Sequence, residues 1–368
     1  MTDGVLAPGK KIPLEGWLVL LFLALAIGMA GIRFLPKTEG LLIDEKTAAV
    51  EQTLSAMAAL DQAAIHQGLA DGTEDVTGHA GLIGIEISPL TTTLGSLPIK
   101  ELSLNPNFAA VIIDLLIEAG VESGDAAAVH FSGSFPAINL AVWAALEHMG
   151  VEAVVISSLG ASNWGANRPE WTWMHMEKHL YERGWISSRS SGISLGGRDD
   201  LGLEMPPALR QYLMTQADEQ GFAVLAGSHL EDQVEAKWDI YRVGVLPSVF
   251  INVGGNATAY GNGEQAANLN PGVLPQGFSS QWPHQTALMA CFDREQIPVI
   301  HLLNIRHLAQ EYGLSHPAGK QAPVGEGAAF RQSVSLLRGY AACWLLAGMA
   351  GLWWIFRKGG LVYDGTAD

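Results

Sequence analysis

The chain has 368 residues, 48% of them hydrophobic and 16% charged, with 37 acidic against 21 basic side chains and a formal net charge of −16. The apolar share excludes a disordered chain, and an acidic balance with no basic stripe excludes a nucleic-acid binder, which must neutralise phosphates. Two cysteines, Cys291 and Cys343, supply neither a disulfide framework nor a zinc pattern.

Residues 1–15 read as a short tail carrying Lys10 and Lys11. Residues 16–35 follow as an apolar segment whose only charge, Arg33, lies near its end. About 20 such residues cross a ~30 Å hydrocarbon core, so a transmembrane helix is expected. A cleaved signal peptide is the competing reading, but its apolar region spans only about 7–15 residues and a small-residue cleavage site should follow it. Residues 44–67, rich in Ala, Leu, Met and Gln and stopped by Gly68, read as an N-terminal stalk helix rising from the membrane or packing on the domain. Thr92 and Thr93, in a run of three threonines, are either site hydroxyls or β-branched residues of an edge strand.

From residue 125 the chain alternates. Continuous apolar runs at 125–131, 152–157, 221–226, 248–253 and 297–303 suit strands buried on both faces. Helical stretches at 138–149, 207–220 and near 285–294 separate several of them. Strands alternating with helices predict an α/β fold: a three-layer domain with a mostly parallel sheet.

The segments after these strands carry the candidate ligand site. The first run is followed by Ser132, Gly133, Ser134, Phe135 and Pro136, with Ser134 as the expected N-cap and Asn139 one turn on. The second is followed by Ser158, Ser162 and Asn167, and the fourth by Gly254 and Gly255. In open α/β sheets, ligands bind outside the strand C-terminal ends. The turn has neither the nucleophile-elbow spacing nor a phosphate-loop lysine.

His175 and His179 flank Glu177 at a spacing that puts two imidazoles on one helix face. A third ligand is missing, so a surface helix and no metal site are expected. Trp164, Trp171, Trp173 and Trp185 read as packing more readily than as a sugar platform, and His130 as a core histidine. After Ser194 and Gly197, Asp199 and Asp200 are paired carboxylates suited to a cation, to acid–base work, or to a solvated turn.

Residues 336–356 form a second uncharged apolar span apart from Arg338, with Trp353 and Trp354 near one end, and residues 357–368 form a tail opening with Arg357 and Lys358. Lysine and arginine on both outer flanks place the two tails in the cytoplasm. The intervening residues 36–335 hold 15 basic and 33 acidic side chains, a net −18, and are expected outside the cytoplasmic membrane.

Six segments in order, at 81–97, 104–121, 132–142, 157–173, 194–202 and 250–255, resemble the membrane-anchored poly-γ-glutamate system protein family. The resemblance spans roughly residues 40–320 and includes the terminal apolar segments. It implies a setting beside the poly-γ-glutamate capsule synthase: partnership with the membrane subunits of that synthase and contact with the polymer. It brings no catalytic residue and no cofactor with it.

Three functions are therefore weighed, one of them a capsule scaffold whose Gly-rich loops are only turns. The first is an accessory component of poly-γ-glutamate synthesis or export, handling the emerging polymer through an extracytoplasmic cleft. The alternative is a membrane-tethered hydrolase or transferase acting on γ-glutamyl chains. The second needs a base for one of the serines, and the sequence alone identifies none. Arg168, Arg189 and Arg198 are the cations available to grip a polyanion in an acidic domain. Gly348 and Gly351 in the second span leave room for a neighbouring helix, including that of a homo-oligomer.

Overall fold

The computed structural model describes residues 42–69, 77–261, 269–282, 287–315, 322–330 and 343–353, with isolated positions 19, 22 and 357. Residues 42–330 form one compact unit, and residues 1–41 group separately with 331–368. The expected first span and both tails lie outside the described residues apart from those isolated positions. Of the second span, residues 343–353 are helical, with Leu345, Leu346, Met349 and Trp353 exposed. No helix among the described residues is long and apolar enough to cross a membrane.

The compact unit is α/β. Its elements begin with α1 (Ile43–His66), β1 (Thr91–Thr93), α2 (Leu97–Ser103) and α3 (Phe108–Glu118). Then come β2 (Ala126–Ser132), α4 (Pro136–Met149), β3 (Glu152–Ser158) and the short strands β4 (Ala161–Ser162), β5 (Asn167–Arg168) and β6 (Trp171–Thr172). They continue with α5 (Trp173–Glu182), β7 (Gly192–Ser194), α6 (Pro207–Glu219), β8 (Ala223–Val224), α7 (Leu230–Tyr241) and β9 (Val249–Val253). Last are α8 (Ala257–Tyr260), β10 (Gly272–Val273), α9 (Leu288–Arg294), β11 (Val299–Leu302) and α10 (Ile305–Tyr312).

The central sheet runs β10-β11-β9-β2-β3-β7-β8, parallel except for β10 at one edge. All five apolar runs become strands of it. They are not all neighbours, because β7, three residues long and without an apolar run of its own, separates β3 from β8. From β2 the chain moves one way through β3, β7 and β8. It then returns through α7 to lay β9 on the other side of β2, followed by β11. The reversal lies between β2 and β9, the switch point at which open α/β sheets leave a crevice.

Strand alternation sends Ala127, Val129 and Phe131 to one face, with Val249, Ile251 and Val253 beside them against Trp143 and Trp173. Ala128, Phe250 and Val299 point to the other face, against Tyr241, Leu288 and Phe292. Helix α4 is buried on nearly every side, which requires a further cover. α1 and α3 supply it. The expected stalk helix is thus part of the domain: Val50, Met57 and Leu60 are buried, and Lys46 pairs with Asp114 at 2.5 Å and donates to the Ala329 carbonyl at 2.8 Å.

Candidate functional site

The C-terminal ends of β2, β4 and β9 lie beside a cavity of about 590 Å³. One wall is Thr92 and Thr93 of β1, held because β1 pairs with β4 and the Thr93 carbonyl accepts the Asn163 N–H. A second wall is Ser134 and Phe135, where α4 begins, with Ser162 next to them. The third is Gly197, Arg198 and Glu204, and the fourth Gly255, Ala257, Tyr260 and Leu303. Among the residues singled out from sequence, Thr92, Thr93, Ser134, Ser162, Gly197 and Gly255 line this cavity.

The others sit behind it. Ser132 is buried and its Oγ accepts the Ser134 N–H at 3.3 Å, so it shapes the turn and is closed to a ligand. Gly133 packs against the Leu159 carbonyl, with no room for a Cβ. Asn139 Nδ2 donates to the Ser132 carbonyl at 3.0 Å. Ser158 Oγ accepts from Asn256 Nδ2 at 2.8 Å. Asn167 exchanges bonds with the backbone of Ile85 and donates to Thr91 Oγ1, fastening the segment that leads into β1. Gly254 adopts φ +80° and faces Ser132 Oγ, which packs the two switch-point loops together. Ser134 does not cap α4. Phe135 occupies the N-cap without a side-chain bond, because Ser134 Oγ accepts the Ser162 N–H at 3.1 Å instead.

Asp199 and Asp200 part company. Both have left-handed backbone, but Asp200 turns fully inward to Lys237 while Asp199 does not line the cavity. Arg189 donates to the Gln220 carbonyl over the Phe222 ring, and Arg168 is buried elsewhere, so Arg198 alone of the three expected arginines reaches the cavity. His175 Nδ1 contacts Thr172 Oγ1 at 2.8 Å in a capping box, and His179 meets the Trp171 ring edge-on. Glu177, expected on a surface helix, is fully buried and accepts from Ser190 N and Oγ. Among the described residues no group of three or more His, Cys, Asp or Glu could hold a metal. The tryptophans pack: Trp173 Nε1 donates to Ser157 Oγ and Trp171 Nε1 to the Gly81 carbonyl.

The residue that sequence reasoning missed is Lys100. It comes from α2, is 2% exposed, and lines the cavity. Its Nζ donates to the Ser134 carbonyl and to Ser162 Oγ, the latter at 2.7 Å, and lies 3.8 Å from the centre of the Phe135 ring. No carboxylate pairs with it among the described residues. Burial alone draws its pKa from 10.5 to about 7. A cation left without a counter-charge beside a cavity is suited to an incoming anion, and its neutral form to proton transfer.

Behind the third and fourth walls lies a sealed polar cluster. Lys237 Nζ reaches Asp200 Oδ2, His130 Nε2 and Thr258 Oγ1 at 2.8, 2.9 and 3.0 Å. Asp200 Oδ1 accepts from Ser194 Oγ and Asn256 Nδ2. His130, Asn252 and His301 stand in one row across β2, β9 and β11. Burial holds His130 well below the usual imidazole range and His301 down to about 4, so both are neutral at pH 7.

No protein-family model, curated protein or solved structure matches the chain.

Proposed function

We propose that the chain is an accessory component of poly-γ-glutamate synthesis or export, with the cavity holding carboxylates of the emerging polymer. In this reading residues 16–35 and 336–356 span the cytoplasmic membrane, both tails are cytoplasmic, and the acidic domain lies outside beside the membrane subunits of the synthase. The observation that carries it is Lys100, a buried amine that lines the cavity and has no carboxylate partner among the described residues. The domain's net charge repels a polyanion, so capture needs a local cation, and Arg198 adds a second at the rim. The family resemblance supplies the polymer; the cavity supplies the charge chemistry.

Titration of the full chain in detergent with poly-γ-glutamate of defined length tests it. Wild type is expected to bind, and Lys100→Met to bind at least tenfold more weakly. Equal affinity in the two proteins would remove the basis of this reading. Fusions of a reporter active only outside the cytoplasm, placed at Gly261 and after Asp368, test the topology: activity is expected from the first alone.

A further inference from the structure

The contact between Lys100 and Ser162 carries more than anion capture. Among the described residues Ser162 Oγ is the only hydroxyl bonded to Lys100 Nζ, at 2.7 Å, and both residues line the cavity. The Ser134 carbonyl takes a second Nζ bond and the Phe135 ring covers the amine, so its position is fixed from three sides. Ser162 is fixed in turn, its N–H given to Ser134 Oγ and β4 held in register with β1. A neutral amine has two N–H groups and one lone pair. With one N–H on the Ser134 carbonyl, the lone pair is free to face the Ser162 O–H.

We propose that Ser162 is an acylatable nucleophile and Lys100 its general base, making the cavity a site of acyl transfer on amide or ester carbonyls. That the carbonyl belongs to a γ-glutamyl chain rests on the function proposed above; the serine–lysine pair does not. Ser162 Oγ attacks the carbonyl carbon as Lys100 Nζ takes the hydroxyl proton. The tetrahedral intermediate collapses, the C–N or C–O bond breaks, and the leaving amine or alkoxide recovers that proton from Nζ. Water, or the amine of another chain, then attacks the acyl-serine by the same route and releases free Ser162. Developing negative charge on the carbonyl oxygen is favoured by the positive end of α4, a 14-residue helix that starts at this wall with no side-chain cap.

Burial draws Lys100 to about 7, which leaves the lone pair available near neutral pH. The other charged or titratable groups on the cavity are Arg198, Glu204 and Tyr260; Glu204 accepts the Arg198 backbone N–H, and burial raises the Tyr260 phenol. The Asp200–Lys237 cluster does not compete for the role, since neither side chain is exposed at all.

A fluorophosphonate probe tests the pair on the full chain in detergent, with intact mass and peptide mapping as readouts. Wild type and Ser55→Ala, an exposed position on α1, should take up one phosphonyl group on Ser162. Ser162→Ala and Lys100→Arg should label about 100-fold more slowly or not at all. Lys100→Arg keeps the charge and should still bind poly-γ-glutamate, which separates loss of the base from loss of the fold. Unlabelled wild type, or labelling that persists in Ser162→Ala, overturns the proposal. Labelling without polymer binding leaves the pair standing and removes the γ-glutamyl substrate. Polymer binding without labelling does the reverse.

Discussion

Lys237 Nζ lies 2.8 Å from Asp200 Oδ2 with neither side chain exposed to solvent. Lys237 belongs to α7 on one face of the sheet, and Asp200 to the loop that brings Gly197 and Arg198 to the cavity. The pair therefore fastens a cavity wall to the body of the fold. Removing one partner strands the other charge in a dry interior, which costs about 3–5 kcal/mol. Lys237→Met and Asp200→Asn should each lower the unfolding free energy by that order in urea titrations. The double variant should lose clearly less than the sum of the two.

Affinity for carboxylate ligands should fall as pH rises through about 7, where free Lys100 gives up its proton. Bound anion favours the charged form, so the midpoint in the complex lies higher than in the free protein. Titrations between pH 6 and 9 check this, and Lys100→Met should show no such step.

Glu177 gives an independent pH signature. Burial raises its pKa from 4.5 to about 6, so between those values the folded chain holds more protons than the unfolded one. Its contribution to stability is complete below about 4.5 and lost as pH rises through about 6, an order of 2 kcal/mol for that shift. Glu177→Gln should flatten this part of the stability-against-pH curve, measured by chemical denaturation at pH 4.5 and 7.5.

Gly254 holds φ +80°, and a Cβ there would sit 2.4 Å from Ser132 Oγ. Gly254→Ala should destabilise the chain by about 1–3 kcal/mol and weaken polymer binding, since both switch-point loops must shift. Thermal unfolding read beside binding checks it.

Asn167→Ala should loosen the segment leading into β1, because three side-chain bonds to Ile85 and Thr91 disappear together. Faster amide exchange at residues 85–93, with exchange in β2 and β9 unchanged, is the expected pattern.

The parallel sheet was readable because its principal strands are continuous apolar runs between turns. β7 was not, since Gly192, Ile193 and Ser194 form no run and take their place from β3 alone on one side and β8 on the other. The buried charges leave a trace in the helical pattern. In α7, Leu230, Val234, Lys237 and Tyr241 follow one helical stripe and all are buried, so a lysine on an apolar stripe marked the cluster. Glu177 sits likewise between Trp173 and Leu180, and Lys46 ahead of Val50 and Met57. Lys100 had no comparable signal: α2 spans only seven residues, too short to show a stripe. Its burial comes from Ser134, Phe135 and Ser162, 34 and more positions away in the chain.

The return of the chain from β8 to β9 has a consequence for how the molecule comes into being. As it leaves the ribosome, β2, β3, β7 and β8 emerge first and can pair as neighbours, leaving one side of β2 bare until β9 has been made. A bare strand edge that the finished fold buries along its whole length invites pairing with other chains. Nascent or truncated forms ending near residue 246 should therefore be aggregation-prone. The arrival of β9 covers that edge and brings Gly255 to the cavity, and β11 then covers β9 and adds Leu303, so the protection of strand edges and the completion of the cavity proceed together in synthesis.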